Sequence, residues 1–205
     1  MIYLIRHPQP AIEKGICYGQ SDLALRSGYQ VIIDNIQATI SFPPSFLLWT
    51  CPLKRCNEFA KELFPNIRPV LIKKELLDMD FGKWEMQKWS GIDTDDLKSW
   101  IEDFVHQNPY QGESFLDLYQ RVSVFWDAMN KEKDIVMVTH DNVIRCILCR
   151  ILSIPLSRAF SLFIPFGNVI RIHSFNSDNY KIEFLPVFNY KRDIIEMNYG
   201  LVENL

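Results

Sequence analysis

Four apolar residues near the start of the chain, Ile2-Tyr3-Leu4-Ile5, run without interruption into Arg6-His7, and Pro8 and Pro10 follow. The run has the β-branched content of a buried strand. The prolines cannot extend a central strand, because each lacks the N–H that a ladder bond needs. The strand therefore stops at a cation and an imidazole. In an open α/β sheet, ligands bind beyond the carboxyl ends of the strands, so this one stretch constrains both fold and chemistry. The device recurs: Asp134-Ile-Val-Met-Val-Thr-His140 is a second apolar run that ends in a histidine, so two of the four histidines stand at strand ends.

Between and after these runs, strand and helix patterns alternate. Tyr29, Ile32, Ile33, Ile36 and Ile40 recur at spacings that predict one face of a helix, which Ser41-Phe-Pro-Pro ends. Phe46 to Thr50 reads as a second buried strand. Pro52 in the following CPLKRC stands at or near a first helical position, and Leu53, Cys56, Ala60, Leu63 and Phe64 share the face of the helix it opens. Pro69 to Ile72 is a short third strand. The segment from Gln87 to Tyr110 is acidic and rich in tryptophan, with a helix expected over Asp96 to His106. Ser114 and Asp117 form a capping pair for a long helix that turns Phe115, Leu118, Val122, Phe125 and Met129 inward. Asn142 to Leu152 is apolar almost all round and therefore a buried helix. Val169 to Ser174 and Tyr180 to Leu185 form a terminal hairpin, and the tail beyond Pro186 is expected to be irregular. This alternation predicts an α/β domain over residues 1–205, with a mostly parallel six-stranded sheet and one antiparallel strand contributed by the hairpin.

Bulk properties exclude several roles. A net charge of −3 gives no global attraction to nucleic acid or to an anionic membrane. No stretch approaches the ~20 apolar residues of a membrane span. The start shows no basic region and cleavage site of a signal peptide. Five scattered cysteines favour free thiols in a reducing compartment, so a cytoplasmic location is expected. Cys146 and Cys149 have redox or metal spacing but lie within the apolar helix pattern, and a core role is expected for them.

The carboxyl edge of such a sheet would gather Arg6 and His7 from the first strand, Arg55 from the first turn of the second helix, and His140 from the later strand. Guanidinium groups match phosphate oxygens, and a helix N-terminus favours an anion. No Walker loop or GxGxxG is present. Metal is not expected, because the arginines would repel a dication. The residues by themselves point to a pocket for a tetrahedral anion.

The motifs IRHPQP, CYGQSDLAL, CPLKRC, DMDFGKWE, QGES and VTHDNVIR, in that order and within residues 2–170, resemble the histidine phosphatase superfamily, the phosphoglycerate mutase-like proteins. The FGKWE and CYGQSDL forms are most similar to its α-ribazole-5′-phosphate phosphatase branch. The resemblance implies a three-layer α/β/α fold and a metal-independent, cofactor-free phosphomonoesterase of cobalamin biosynthesis. Its partner would be a small phosphomonoester, and a homodimer is admitted. His7 falls on the nucleophile that becomes phosphohistidine, and Arg6, Arg55 and His140 fall on the pocket that holds the phosphoryl group. Asp78 stands where the family's proton-donating Glu stands, with Glu85 and Asp141 as alternatives for that role. Tyr18, Ser21, Glu85 and Asp141 are expected near the phosphate or the substrate body, and Gly19 is expected to serve a turn.

Arg145 and Glu113 are each read as structural or site residues. Trp84, Trp89 and Phe166 are read as core or as stacking platforms, and residues 83–112 as a helical lid. Pro8 stands where the family has glycine; it removes an N–H but keeps a carbonyl that can hold the His7 ring. A broad-specificity sugar-phosphate phosphatase or a mutase-like enzyme is the rival within enzymes. The shortened acid at Asp78, together with Pro8, also admits a catalytically impaired phosphate-binding regulatory module.

Overall fold

A computed structural model describes residues 1–67, 69–176 and 179–187. Six strands form one sheet: β1 (Ile2–Arg6), β2 (Leu47–Thr50), β3 (Val70–Ile72), β4 (Ile135–Thr139), β5 (Val169–Asn176) and β6 (Asn179–Leu185). Their order is β3-β2-β4-β1-β5-β6. β2 pairs parallel with both β3 and β4, and β4 pairs parallel with β1. β5 runs antiparallel to both of its neighbours, β1 and β6, and is thus the one reversed strand. Helices α1 (Gln30–Thr39), α2 (Lys54–Leu63), α3 (Thr94–Glu102), α4 (Phe115–Ala128) and α5 (Asp141–Leu152) complete the layers that flank the sheet.

β1 and β4 are the most deeply buried strands. Ile2, Tyr3, Leu4 and Ile5 are buried, as are all five residues of β4. Burial of that kind contributes roughly 1.5–3 kcal/mol per large side chain. It also fixes register, because a one-residue slip would turn each apolar set outward. The register pairs Ile2 with Ile135 and Arg6 with Thr139, so the two strands end level. The His7 N–H donates to the Thr139 carbonyl at 3.0 Å. One residue further on, the two histidines stand side by side with ring centroids 4.9 Å apart.

The helices follow the expected pattern with informative departures. Ser114 and Asp117 cap α4 reciprocally, side chain to backbone in both directions. On α4 the deeply buried rings are Phe115 and Trp126, whereas Phe125 is half-buried and packs edge-on against Trp49 at 5.4 Å. Leu53 is the residue before α2 rather than part of it. The third helix spans Thr94–Glu102 instead of Asp96 to His106. The Asp93 carboxylate accepts from the N–H groups of Asp95 and Asp96 and starts it early, and at Asp103 the backbone leaves helical geometry. Trp84, Phe81, Trp89 and Trp100 pack together beside it, with ring centroids 5.6 to 6.3 Å apart. The hairpin is formed by β5 and β6; its turn at residues 177 and 178 and the tail from 188 lie outside the described residues.

Candidate active site

A cavity of about 610 Å³ opens over the carboxyl ends of β1 and β4. Its walls include Arg6, His7, Tyr18, Asp78, Asp141 and Asn142, with Phe166 beside Arg6 and His7, together with the loop from Gln9 to Ile16, Phe81 and Trp89. Arg55 and His140 are fully buried beside His7.

The polar end is built around His7. Its Nδ1 lies 2.6 Å from the Pro8 carbonyl. A carbonyl only accepts, so Nδ1 carries the hydrogen and Nε2 keeps its lone pair. The Nε of Arg55 lies 3.3 Å from that Nε2. Burial, then the charges of Arg55 and Arg6, hold the His7 pKa well below the usual imidazole value. The ring is thus a neutral base with its lone pair beside a guanidinium. Arg55 is fixed by two loop carbonyls: its Nη1 donates to Ser21 at 2.7 Å and its Nη2 to Gly19. Arg6 donates to the Ile164 carbonyl at 2.5 Å and stacks on Phe166, with the guanidinium carbon 3.8 Å from the ring centroid.

Two acids face the same cavity in opposite states. Asp141 opens α5 and lies 3.4 Å from Arg6 and 2.5 Å from Arg145. Despite its burial, those two guanidinium groups hold its carboxyl well below the usual carboxylate range. Asp78 is buried without an equally close cation: the nearest, the Nη2 of Arg55, is 3.9 Å away. Burial, reinforced by the negative charge of Asp141, raises its pKa to about 7. Its Oδ1 accepts from the Met79 N–H at 2.9 Å and from the Asn142 amide at 3.1 Å. Its Oδ2 lies 3.5 Å from the Nδ1 of His140, an atom without a hydrogen-bond partner among the described residues.

Glu85, the third candidate acid, is occupied elsewhere. Its two oxygens accept from the Gln20 N–H at 2.7 Å, the Ser21 N–H at 2.6 Å, the Phe81 N–H at 3.3 Å and the Ser21 hydroxyl. Neither Glu85 nor Ser21 lines the cavity. Glu85 braces the loop whose carbonyls hold Arg55. Tyr18 does line the cavity, with its ring 5.6 Å from the Arg55 guanidinium carbon, and burial pushes its hydroxyl up to about 12.

Gly19 opens the bend at residues 19–21. A Cβ there would fall 1.8 Å from the Met79 carbonyl, so its role is to let the loop press against the segment that carries Asp78. Glu113 orients an arginine: Arg121 lies 2.7 Å from it and donates to the carbonyls of Glu75, Leu77 and Asp78. Arg145 is half of the Asp141 pair, and Trp84 is buried away from the cavity.

Among the described residues, His7, Cys56 and His140 bring potential metal-binding atoms within 4.8 Å of one another. The Arg55 guanidinium against His7 opposes a dication there.

Comparison with known proteins decides the family. The Histidine phosphatase superfamily (branch 1) matches residues 2–185. The chain belongs to the histidine phosphatase superfamily. Within it, the chain is 28% identical over 163 residues to the adenosylcobalamin/alpha-ribazole phosphatase of Escherichia coli (strain K12), covering 75% of this chain and 80% of that protein. The enzyme of the same description from Salmonella typhimurium is 31% identical over 161 residues, 75% of this chain and 73% of that one. The crystal structure of the alpha-ribazole phosphatase from Shigella flexneri superposes with a TM-score of 0.79 at 25% identity, covering 90% of this chain and 95% of that chain. As a histidine phosphatase, the chain is a phosphatase.

Three residues that sequence reading did not single out complete the site. Asn142 bridges the two acids, donating to Asp78 and accepting from Arg145 at 3.2 Å. Its signal was a short amide at the start of an otherwise apolar helix. Arg121 pins the backbone that presents Asp78; it lies 43 residues away in the chain, and no local pattern marks it. Cys51 sits 3.0 Å from the Nε2 of His140. It is the first cysteine of CPLKRC, the motif that was read for its Pro and Arg.

Proposed function

We propose that this phosphatase hydrolyses a small phosphomonoester through a phosphohistidine on His7, with α-ribazole 5′-phosphate as the leading substrate. One observation carries the reading: a neutral, tautomerically fixed imidazole presents its lone pair to the polar end of a cavity, flanked by two guanidinium groups. The Nε2 of His7 attacks phosphorus. Arg6, Arg55 and His140 surround the oxygens on which charge is held, which is the main requirement of phosphoryl transfer. Asp78, protonated near neutrality, gives its proton to the leaving oxygen; the resulting carboxylate then takes a proton from the water that attacks phosphohistidine. Asp141 acts through Arg6, since a carboxylate facing a phosphate would repel it. The aromatic lining of the cavity, Phe81, Trp89 and Phe166, suits a flat heteroaromatic leaving group. The similarity to alpha-ribazole phosphatases supports the same choice.

The test is phosphate release from α-ribazole 5′-phosphate and from an activated aryl phosphate, with acid-labile labelling of His7 on rapid quench. Both substrates should turn over, and His7→Ala should lower kcat by at least about 10³. No release from either substrate, with phosphate binding unchanged in His7→Ala, would favour the binding module instead.

A further inference from the structure

We infer that the thiol of Cys51 is a positioning residue that holds His140 as its Nδ1–H tautomer, so that a hydrogen-bond donor faces the phosphoryl group. The inference rests on the reading of His140 as part of the phosphoryl pocket.

His140 is fully buried and lies at the end of β4. Burial, followed by the charges of Arg55 and of His7, keeps its ring neutral. A neutral imidazole has one N–H and one lone pair, and the partner of one nitrogen decides the state of the other. On one side, Nε2 meets the Sγ of Cys51 at 3.0 Å and the Sγ of Cys56 at 3.5 Å. On the other, Nδ1 lies without a hydrogen-bond partner among the described residues, 3.5 Å from the Oδ2 of Asp78, a residue of the cavity wall.

The chemistry of the pair sets the direction. The Sγ of Cys51 already accepts the Leu53 N–H at 3.4 Å. A thiol sulfur is a weak acceptor and the lone pair of a neutral imidazole nitrogen a better one, so the contact is assigned as S–H to Nε2. Burial and a hydrogen bond with Cys51 push the Cys56 thiol well up, and it lies farther from the ring. With Nε2 accepting, the hydrogen resides on Nδ1. The opposite tautomer would turn a lone pair toward the incoming phosphate oxygens. CPLKRC thus serves the site twice: through the Arg55 guanidinium, and through a thiol behind the neighbouring imidazole.

The discriminating measurement is the ¹⁵N spectrum of the histidine rings in the intact protein, which distinguishes a protonated from a lone-pair nitrogen without reference to activity. Wild type should show His140 with a protonated Nδ1 and a lone-pair Nε2. Cys51→Ser keeps a donor and should keep that pattern and a kcat within about twofold. Cys51→Ala should move His140 toward the Nε2–H form and lower kcat about tenfold, the worth of one ordinary hydrogen bond, with KM changed less. A wild-type ring protonated on Nε2, or an Nδ1–H pattern that persists in Cys51→Ala, would overturn the inference. Loss of kcat equal in the Ser and Ala variants, with the ring spectrum unchanged, would mark Cys51 as packing alone and overturn it too. If the wild type hydrolyses no phosphomonoester, the functional reading fails while the tautomer result still decides the assignment.

Discussion

Asp78 and Asp141 line one cavity, both buried, both bonded to Asn142 or its partner, and their pKa values are driven in opposite directions. The Asp141 side carries two guanidinium groups within 3.4 Å and stays ionised. The Asp78 side has its closest guanidinium at 3.9 Å and is raised to about 7. Burial alone does not choose between an acid and an anion; the distance to the nearest fixed cation does. Two carboxyls whose values are driven apart in this way are the arrangement that separates proton transfer from charge positioning.

The largest effect should come from removing the proton. Asp78→Asn keeps the shape and the bond from Met79 but cannot release a proton. It should lower kcat on an alkyl phosphate by about 10²–10⁴ and spare an activated aryl phosphate, whose leaving group needs little protonation. In wild type, kcat/KM on the alkyl substrate should fall as pH rises through about 7, and that limb should vanish in Asp78→Asn. Stability carries the same signature. A folded-state value raised above the ordinary 3.8 means that the folded protein binds more protons, so stability drains away as pH rises from about 4 to about 7. Asp141 works the other way: its contribution is present above the ordinary 3.8 and is lost as pH falls through and below it. Chemical denaturation across pH 3–8, in wild type and in Asp78→Asn, separates the two slopes. An alkyl-substrate rate unchanged in Asp78→Asn would break the contrast.

Asp141→Ala should cost stability more than proton transfer. It leaves the Arg6 and Arg145 charges without their shared partner, a loss of about 3–5 kcal/mol for a broken buried pair, read as a lower denaturation midpoint. Activity on alkyl and aryl substrates should fall by the same factor, because Arg6 loses its anchor while the proton donor is intact. Arg121→Ala should fall below that, at about 1–3 kcal/mol, since Arg121 serves three backbone carbonyls of the segment that carries Asp78. Its activity loss should be larger on the alkyl substrate, which depends on where Asp78 stands.

How much of this was legible in the sequence depends on distance along the chain. The apolar runs that end in His7 and His140, and the Ser114–Asp117 cap, are local patterns, and the fold and the pairing of the two histidines at one sheet edge could be read from them. The order of the motifs placed Asp78 among three candidate acids but could not rank them by environment. That ranking depends on where Arg6 and Arg145 fall relative to Arg55, which is a property of packing. The bond between Ser21 and Glu85 was hidden for the same reason: a polar loop motif does not disclose that its hydroxyl donates to a carboxylate 64 residues away. Cys51 and Arg121 act across 89 and 43 residues of sequence, and neither belongs to a periodic pattern.

Glu85 supplies the smallest and sharpest test of the comparison, because it is a carboxylate whose two oxygens both accept from loop donors and that does not line the cavity. Its Oε1 accepts the Gln20 and Phe81 N–H groups, and its Oε2 accepts the Ser21 N–H and hydroxyl. Glu85→Gln can keep the bonds on one oxygen, but its amide nitrogen then faces donors. The loop from Gly19 to Ser21 should loosen, and with it the carbonyls that aim Arg55. Arg55 holds phosphate whether or not the leaving group needs a proton. The expected result is therefore a KM raised by about tenfold or less, one hydrogen bond's worth, equally for aryl and alkyl phosphates, with the limb near pH 7 unmoved. A selective loss on the alkyl substrate would instead transfer the proton to Glu85, and Asp78 would be left as a buried acid without the role its environment fits.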